Sequence, residues 1–278
     1  MKRVTTIADL QVETRALQSS VGIGFVPTMG ALHEGHLSLV RRAVAENGFT
    51  VVSIFVNPAQ FNDPGDLERY PRNLEADMAL LSATDCNLVF APDVKEIYPE
   101  PDKRRFSFGS LGEVMEGQFR PGHFNGVAQV VSRLFEIVKP HKAYFGLKDF
   151  QQLAIIKSMV KQLQLPVEIV PCAIVREENG LAMSSRNKLL STEQRENAAV
   201  ISKTLLKVKE LSPQKSVTEL KCWATGEINK NPFLETEYFE IVDTEQLQPV
   251  KNWEEAPGKI ACIAVYCGKI RLIDNILL

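Results

Sequence analysis

Ten consecutive residues, Pro27-Thr28-Met29-Gly30-Ala31-Leu32-His33-Glu34-Gly35-His36, constrain this chain more than any other stretch. They follow a short apolar run, residues 21–26, that reads as a buried strand, and they lead into Leu37-Ser38-Leu39-Val40-Arg41-Arg42-Ala43, which has helical spacing. A strand, a turn carrying Gly30 and Gly35, and a helix start therefore meet in one place. Open α/β sheets bind ligands at such places, because backbone N–H groups and the positive helix end converge there. His33 and His36 are three apart, so both imidazoles share one face of the helix start and can address an anion. Gly35 between them leaves room for a ligand against the backbone.

The order of elements extends this picture. Thr6-Ile7-Ala8-Asp9 caps a helix, residues 21–26 form the first strand, and residues 50–56 form a continuous apolar strand of the kind buried on both faces of a parallel sheet. Residues 57–66, with two prolines and a glycine, make a loop at that strand's carboxyl end, where function concentrates. Residues 73–83 read as a helix, 87–91 as a strand and 93–98 as a short helix. Residues 103–108, where charges alternate with aromatics, read as an edge strand. A glycine-bearing loop at 117–124 precedes a helix at 127–138, a strand at 143–145, a turn at 146–149, a helix at 150–163 and a strand at 167–170. Strands alternating with helices across residues 20–175 predict a Rossmann-like parallel sheet.

Near Arg176 the character changes. A polar turn at 176–180 leads through residues 181–187 to two helices, opened by the capping boxes Ser191-Thr192-Glu193-Gln194 and Ser216-Val217-Thr218-Glu219. Strands at 237–242, 259–266 and 270–274 follow, the last two joined by the hairpin turn Cys267-Gly268-Lys269. The fold class is α/β, with residues 1–175 as a Rossmann-like domain and residues 176–278 as a smaller α+β domain.

Composition narrows the function classes. With 278 residues, 45% of them hydrophobic and 24% charged, the chain can bury a substantial core. A formal net charge of -2 lacks the basic surplus of a nucleic-acid binder. The N-terminus lacks the apolar core of a signal peptide, and the longest apolar runs, 51–56 and 260–267, are too short to span a bilayer. Cys86, Cys172, Cys222, Cys262 and Cys267, an odd number without a CxxC pair, read as small buried apolar residues in a reducing cytoplasm.

Cationic and hydroxyl-bearing elements add chemistry. Lys148, just past a strand end, can reach a phosphate or stand solvated at its turn. Met183-Ser184-Ser185-Arg186 offers two hydroxyls, backbone amides and a guanidinium fork, which makes either a phosphate clamp or a polar loop. His123, after Arg120-Pro121-Gly122, is a site residue or a helix-start histidine, and His141, beside Lys139, Pro140 and Lys142, is a surface residue. No Asp, Glu and His cluster has convincing metal spacing.

Residues 27–36 resemble the HxGH, or HIGH, signature of nucleotidylyl transferases and class I aminoacyl-tRNA synthetases. Together with SIFVNPAQF (53–61), RPGHFNGVAQVV (120–131), YFGLKDFQQ (144–152) and REENGLAMSSRN (176–187), in that order, the chain resembles the pantothenate synthetase (pantoate–β-alanine ligase) family of the HIGH nucleotidylyl transferase superfamily. The Ser184-Ser185-Arg186 segment takes the place of the KMSKS loop. The resemblance implies ATP-dependent condensation of (R)-pantoate with β-alanine, giving pantothenate, AMP and pyrophosphate through a pantoyl adenylate. Such chemistry needs positioning and charge stabilisation rather than a covalent nucleophile.

The resemblance also implies site residues. Met29, Gly30, Ala31, Leu32, His33, Glu34, Gly35 and His36 would hold ATP, with His36 the proton donor and His33 on the same phosphates. Lys148 and Arg186 would act as catalytic cations, joined by Met183, Ser184 and Ser185. Gly146, Leu147, Lys148, Asp149 and the Val175 backbone would belong to the nucleotide pocket. Gln60 and Gln152 would hold pantoate, with Gln60 also reaching β-alanine; a glutamine amide both donates and accepts. Magnesium would arrive on the ATP phosphates without an assigned protein ligand, and a cytoplasmic homodimer with no nucleic-acid or membrane partner is implied, its second domain acting as a lid. Ala59, Leu147 and Gln129 depart from the family's usual Met, acidic residue and Thr, and bear on pocket shape. Two other readings share the HIGH core: a nucleotidylyl transferase acting on a phosphorylated acceptor, and a non-catalytic nucleotide- or RNA-binding module.

Overall fold

The computed structural model describes residues 1–17, 21–62 and 64–278, so Asp63 of the 57–66 loop lies outside the described residues. In chain order its elements are β1 (Lys2–Val4), α1 (Ile7–Thr14), β2 (Ile23–Thr28), α2 (Glu34–Glu46), β3 (Phe49–Ile54), α3 (Pro64–Arg69), α4 (Leu74–Leu81), β4 (Leu88–Phe90), α5 (Val94–Ile97), α6 (Glu116–Phe119), α7 (His123–Val138), β5 (Lys142–Gly146), α8 (Phe150–Gln162) and β6 (Glu168–Cys172). They continue with α9 (Thr192–Leu211), α10 (Val217–Asn229), β7 (Leu234–Asp243), β8 (Lys259–Cys267) and β9 (Ile270–Leu277).

β1 to β6 form one sheet in the order β1-β4-β3-β2-β5-β6, every pair parallel. Alternate residues of each strand feed opposite cores, as the pleat requires. Phe25, Val51, Leu88, Phe90, Ala143 and Phe145 join Leu10 of α1 and residues of α7 and α8 on one face. Val26, Val52, Val89, Tyr144 and Val170 join α2 and Leu81 of α4 on the other. This two-sided burial explains the unbroken apolar runs of the strands. The chain leaves β2 for β3 and β4 on one side and returns to β5 on the other. The topological switch point therefore lies between the carboxyl ends of β2 and β5.

β7, β8 and β9 form an antiparallel sheet covered by α9 and α10 around a separate core that includes Leu205, Leu220, Phe239, Ile241, Ile263 and Val265. Both capping boxes form: Ser191 with Gln194 and Ser216 with Glu219. A register shift between Thr236 and Tyr238 interrupts the β7–β8 pairing at Glu237, and the Glu237 carboxylate meets Arg271 at 2.5 Å. The chain divides into two compact units, one of Met1–Phe108, Arg120–Leu147 and Gln152–Ala173, the other of Gly109–Phe119, Lys148–Gln151 and Ile174–Leu278. Within the second, Arg271 binds Glu116 at 2.6 Å and Tyr238 donates to the same carboxylate at 2.9 Å, fastening the 109–119 segment to its sheet. Gln151 adds bonds to the carbonyls of Leu111 and Val114 and to the Glu116 amide.

Three expectations need correction. The first strand is Lys2–Val4, not the run at 21–26; it exists through parallel pairing with β4, a long-range cause that no local pattern carries. Residues 103–108 keep an alternating exposure but pair with no strand. Side chains of α7 take the partner's place: Gln129 donates to the carbonyls of Asp102 and Arg104, and Asn125 accepts the Phe106 amide. Cys222 is exposed, whereas the other four cysteines are buried as expected.

Candidate active site

The turn after β2 is built by backbone geometry and one buried acid. Gly30 and Ala31 both take positive φ, 78° and 50°, and the chain doubles back before α2. Only glycine adopts this readily, and a Cβ on Gly30 would lie 2.8 Å from Asp77 Oδ2. The Asp77 carboxylate, on α4 and 3% exposed, accepts the amides of Ala31 at 2.9 Å and Leu32 at 2.7 Å. Thr28 accepts the Gly30 amide and donates to the Ser53 carbonyl, tying the turn to β3. Ala31 and Leu32, both buried, thus spend their amides on the protein and shape the turn from within.

His33 is the N-cap of α2: its Nδ1 accepts the Gly35 amide at 3.2 Å. A neutral His33 accepting at Nδ1 carries its proton on Nε2, which makes Nε2 a donor. His36, one turn on, stands with its ring 4.1 Å from that of His33, both half-buried. Two imidazoles and the positive end of a thirteen-residue helix thus meet at the carboxyl end of β2, beside the switch point. Glu34 is exposed and points its carboxylate along α2 to Arg41, which holds its pKa below the ordinary carboxylate value.

Gln60 lies in the single 3-10 turn Pro58–Gln60 after β3 and is 8% exposed. Its Nε2 reaches Met29 Sδ at 2.8 Å, which brings two of the expected site residues together. Its Oε1 accepts from Asn57 Nδ2 at 3.3 Å, and its carbonyl meets His123 Nδ1 at 2.8 Å. Asn57, 1% exposed, also donates to the Gly126 carbonyl and accepts from the Ala59 amide and the Tyr98 hydroxyl. Gly126 on α7 admits this close approach, since a Cβ there would lie 2.2 Å from the Ala59 carbonyl oxygen. His123, first residue of α7 and buried, is a support of the Gln60 loop. Gln152 is half-buried in the first turn of α8. His141 is exposed, as expected.

In the second unit, Lys148 sits in the 3-10 turn Leu147–Asp149, its carbonyl accepting from Asn275 Nδ2 at 2.9 Å. The 176–187 stretch closes through an Arg176–Ala182 bridge and Gly180 at φ 93°. Arg176 forms a two-pronged pair with Asp274, at 2.6 and 3.1 Å. Glu177 is shared by Asn187 at 2.7 Å and Arg195 at 2.6 Å. The Val175 carbonyl accepts the Met183 amide. Ser184 then caps the 3-10 turn Ser185–Leu189, accepting from the Arg186 amide, which leaves its own O–H as a donor. Ser185 is buried, and Met183, Ser184 and Arg186 are half-buried.

Asp77, Asn57 and Tyr98 are the site's supporting residues that sequence reasoning missed. Asp77 left a trace: an acid four residues before Leu81 falls on the apolar face of its helix, where an unpaired carboxylate is costly. Asn57 left only the local signature of a cap before Pro58, and Tyr98 left none, because the bonds from Asn57 to Gly126 and from Tyr98 to Asn57 span 69 and 41 residues. Among the described residues no group of three or more His, Cys, Asp or Glu side chains could hold a metal, and no helix is long and apolar enough to cross a membrane.

Comparison with known proteins places this geometry in a family. The family model described as pantoate-beta-alanine ligase matches residues 2–277. A pantothenate synthetase of Bacteroides fragilis is 58% identical over 277 residues, covering 99% of this chain and 98% of that protein. The crystal structure of pantothenate synthetase from Thermus thermophilus superposes with a TM-score of 0.93 at 47% identity, covering 99% of both chains. That of pantoate-beta-alanine ligase from Francisella tularensis, complexed with beta-gamma ATP and β-alanine, gives 0.83 at 37% identity over 100% of this chain and 97% of that one.

Proposed function

Because the chain belongs to the pantoate–β-alanine ligase family, we propose that it joins pantoate to β-alanine with ATP, releasing AMP and pyrophosphate through a pantoyl adenylate. The observation that carries this reading is the imidazole pair, 4.1 Å apart at the start of α2 and beside the sheet's switch point. An anion there gains two ring N–H donors and the helix end.

The residues divide the work. His33 donates from Nε2 to a phosphate oxygen, and His36 gives its proton to the departing pyrophosphate. Lys148 and Arg186 neutralise the triphosphate, with the Ser184 and Ser185 hydroxyls as further donors. Met29, Gly30 and Gly35 give backbone contact, while Gly146, Leu147, Asp149, Val175 and Met183 surround the nucleotide. Gln60 and Gln152 orient pantoate so that its carboxylate attacks the α-phosphorus; the β-alanine amine then attacks the acyl carbonyl and AMP leaves. Magnesium on the ATP phosphates supplies further charge neutralisation. The carboxylates beside the histidines do not suit direct ligation, since both Asp77 oxygens accept amides and both Glu34 oxygens face Arg41.

A homodimer and a cytoplasmic location, without nucleic-acid or membrane partners, belong to the same proposal; sedimentation analysis tests the first. The catalytic test is isotope exchange. Labelled pyrophosphate should enter ATP when pantoate is present and β-alanine is not. Exchange that requires a phosphorylated acceptor would instead identify a nucleotidylyl transferase. His36→Ala should lower exchange by about 10²-fold or more with its circular dichroism unchanged, the scale of a lost proton donor.

A further inference from the structure

Gln60 is a buried amide whose two ends are treated unequally. Its Oε1 accepts a conventional hydrogen bond from Asn57, while its Nε2 has the thioether of Met29 as its partner. Sulfur is a weak acceptor, and an amide NH2 carries two donors. The donor end is under-satisfied in a buried place, and a substrate oxygen that replaced the thioether would be favoured there.

The protein fixes which end faces which way from two distant points. Asn57 can offer its Nδ2 to Gln60 because its own Oδ1 accepts from the Tyr98 hydroxyl at 3.2 Å and from the Ala59 amide. Tyr98 is largely buried and stands against Phe55, ring centroids 6.2 Å apart. Burial holds its hydroxyl protonated, so it remains a donor. From the other side, Arg120 approaches His123 Nε2 at 3.2 Å. An arginine can only donate, so Nε2 accepts and the ring proton sits on Nδ1, which donates to the Gln60 carbonyl. The backbone of Gln60 is thus held by His123 and its side chain by Asn57.

We propose that Tyr98 and His123 are positioning residues for the acid substrate: through Asn57 and through the Gln60 carbonyl they hold the Gln60 amide with its N–H donors toward an oxygen of pantoate. This rests on the assignment of Gln60 to pantoate. Neither residue needs to touch the substrate, so neither is catalytic. The oxygen taken is an acceptor, a carboxylate or hydroxyl oxygen.

Steady-state kinetics on Tyr98→Phe, His123→Leu, His123→Asn and Gln60→Ala test it, each at saturating ATP and β-alanine. Tyr98→Phe deletes one hydroxyl, and His123→Asn keeps a donor near the place of Nδ1. The expected result is a pantoate KM raised about five- to tenfold in Tyr98→Phe and His123→Leu, the worth of one neutral hydrogen bond. His123→Asn should recover most of the loss, and the KM for ATP should stay within about twofold throughout, as for a term confined to one substrate. In a Gln60→Ala background, Tyr98→Phe and His123→Leu should add nothing further. If Gln60→Ala raises the pantoate KM while Tyr98→Phe and His123→Leu leave it unchanged, the positioning role is overturned and the Gln60 assignment stands. If Gln60→Ala itself leaves the pantoate KM unchanged, the assignment falls first and the clamp with it. A rise in the KM for ATP in step with that for pantoate, together with a lowered Tm, would mark a general structural role and also overturn the proposal.

Discussion

The turn between β2 and α2 and the loop at 176–187 both present candidate phosphate ligands, and they are fastened by opposite means. The first is a backbone device: two consecutive residues at positive φ, closed by one carboxylate whose two oxygens accept two amides in a nearly dry setting. The second is a charge device: Asp274 grips Arg176, and Glu177 is shared between Asn187 and Arg195, the last half exposed. An exposed charge such as Arg195 exchanges partners at little cost, whereas the buried Asp77 and Asp274 carboxylates have no alternative to the groups they hold. The histidine turn is thus held by a buried acid, whereas the serine–arginine loop adds to its buried Arg176–Asp274 pair an anchor that faces water, Arg195.

The largest effect should come from Asp77→Ala. It removes the charge-assisted bonds to two buried amides, a loss of about 3 kcal/mol or more in denaturant unfolding. Pantoate-dependent exchange should fall more steeply than stability, because His33 follows the turn directly. Normal exchange in a folded Asp77→Ala protein would show that the turn holds itself. Asp274→Ala should cost less, about 2–3 kcal/mol, since Arg176 keeps some contact with water after losing its buried partner. Its exchange rate should recover when unfolding is suppressed by low temperature, which separates a stability loss from a catalytic one.

Glycine replacements sharpen the same contrast. Gly30→Ala introduces a Cβ 2.8 Å from Asp77 Oδ2 at φ 78°, and the atom it meets belongs to the fastening carboxylate itself. Gly180→Ala is also strained, at φ 93°, but the new Cβ meets the Ser202 hydroxyl at 3.0 Å, a group outside the 176–187 fasteners. Both should destabilise by about 1–2 kcal/mol. Only the first should depress exchange at a temperature where both proteins are folded. Equal exchange losses would erase the distinction between the two loops.

What the sequence disclosed follows the same division. The strand, turn and histidine pair were legible because the apolar run, the glycines and the histidines that signal them lie within residues 21–43, and the caps at Thr6, Ser191 and Ser216 were legible because each bonds three residues ahead. The fasteners were not: Asp77 lies 45 and 46 residues from the amides it binds, and Asp274 lies 98 from Arg176. Residues 103–108 show the limit of periodicity. Alternation correctly gave the alternating exposure, yet it could not tell a neighbouring strand from the side chains of Asn125 and Gln129. The strand β1 failed for a related reason, since three residues bearing Lys2 and Arg3 owe their strand to β4.

The smallest effect should come from Glu34→Gln, and it probes the contrast from inside the histidine motif. Glu34 belongs to that motif yet is exposed and paired with Arg41 on α2. The hydrogen bonds from Arg41 hold its carboxyl below the ordinary value, against a smaller opposing cost of burial. A depressed folded value stabilises above the unfolded pKa, about 4.3, and that contribution disappears as pH falls through the folded value. Wild type and Glu34→Gln should therefore differ slightly in Tm near pH 7, with wild type higher, and converge as the pH falls through the folded value of Glu34. Exchange at neutral pH should stay within about twofold, as for an exposed ion pair. A tenfold loss without a matching change in Tm would make Glu34 a ligand of the nucleotide in its own right, and the histidine turn would then depend on an exposed charge as the 176–187 loop does.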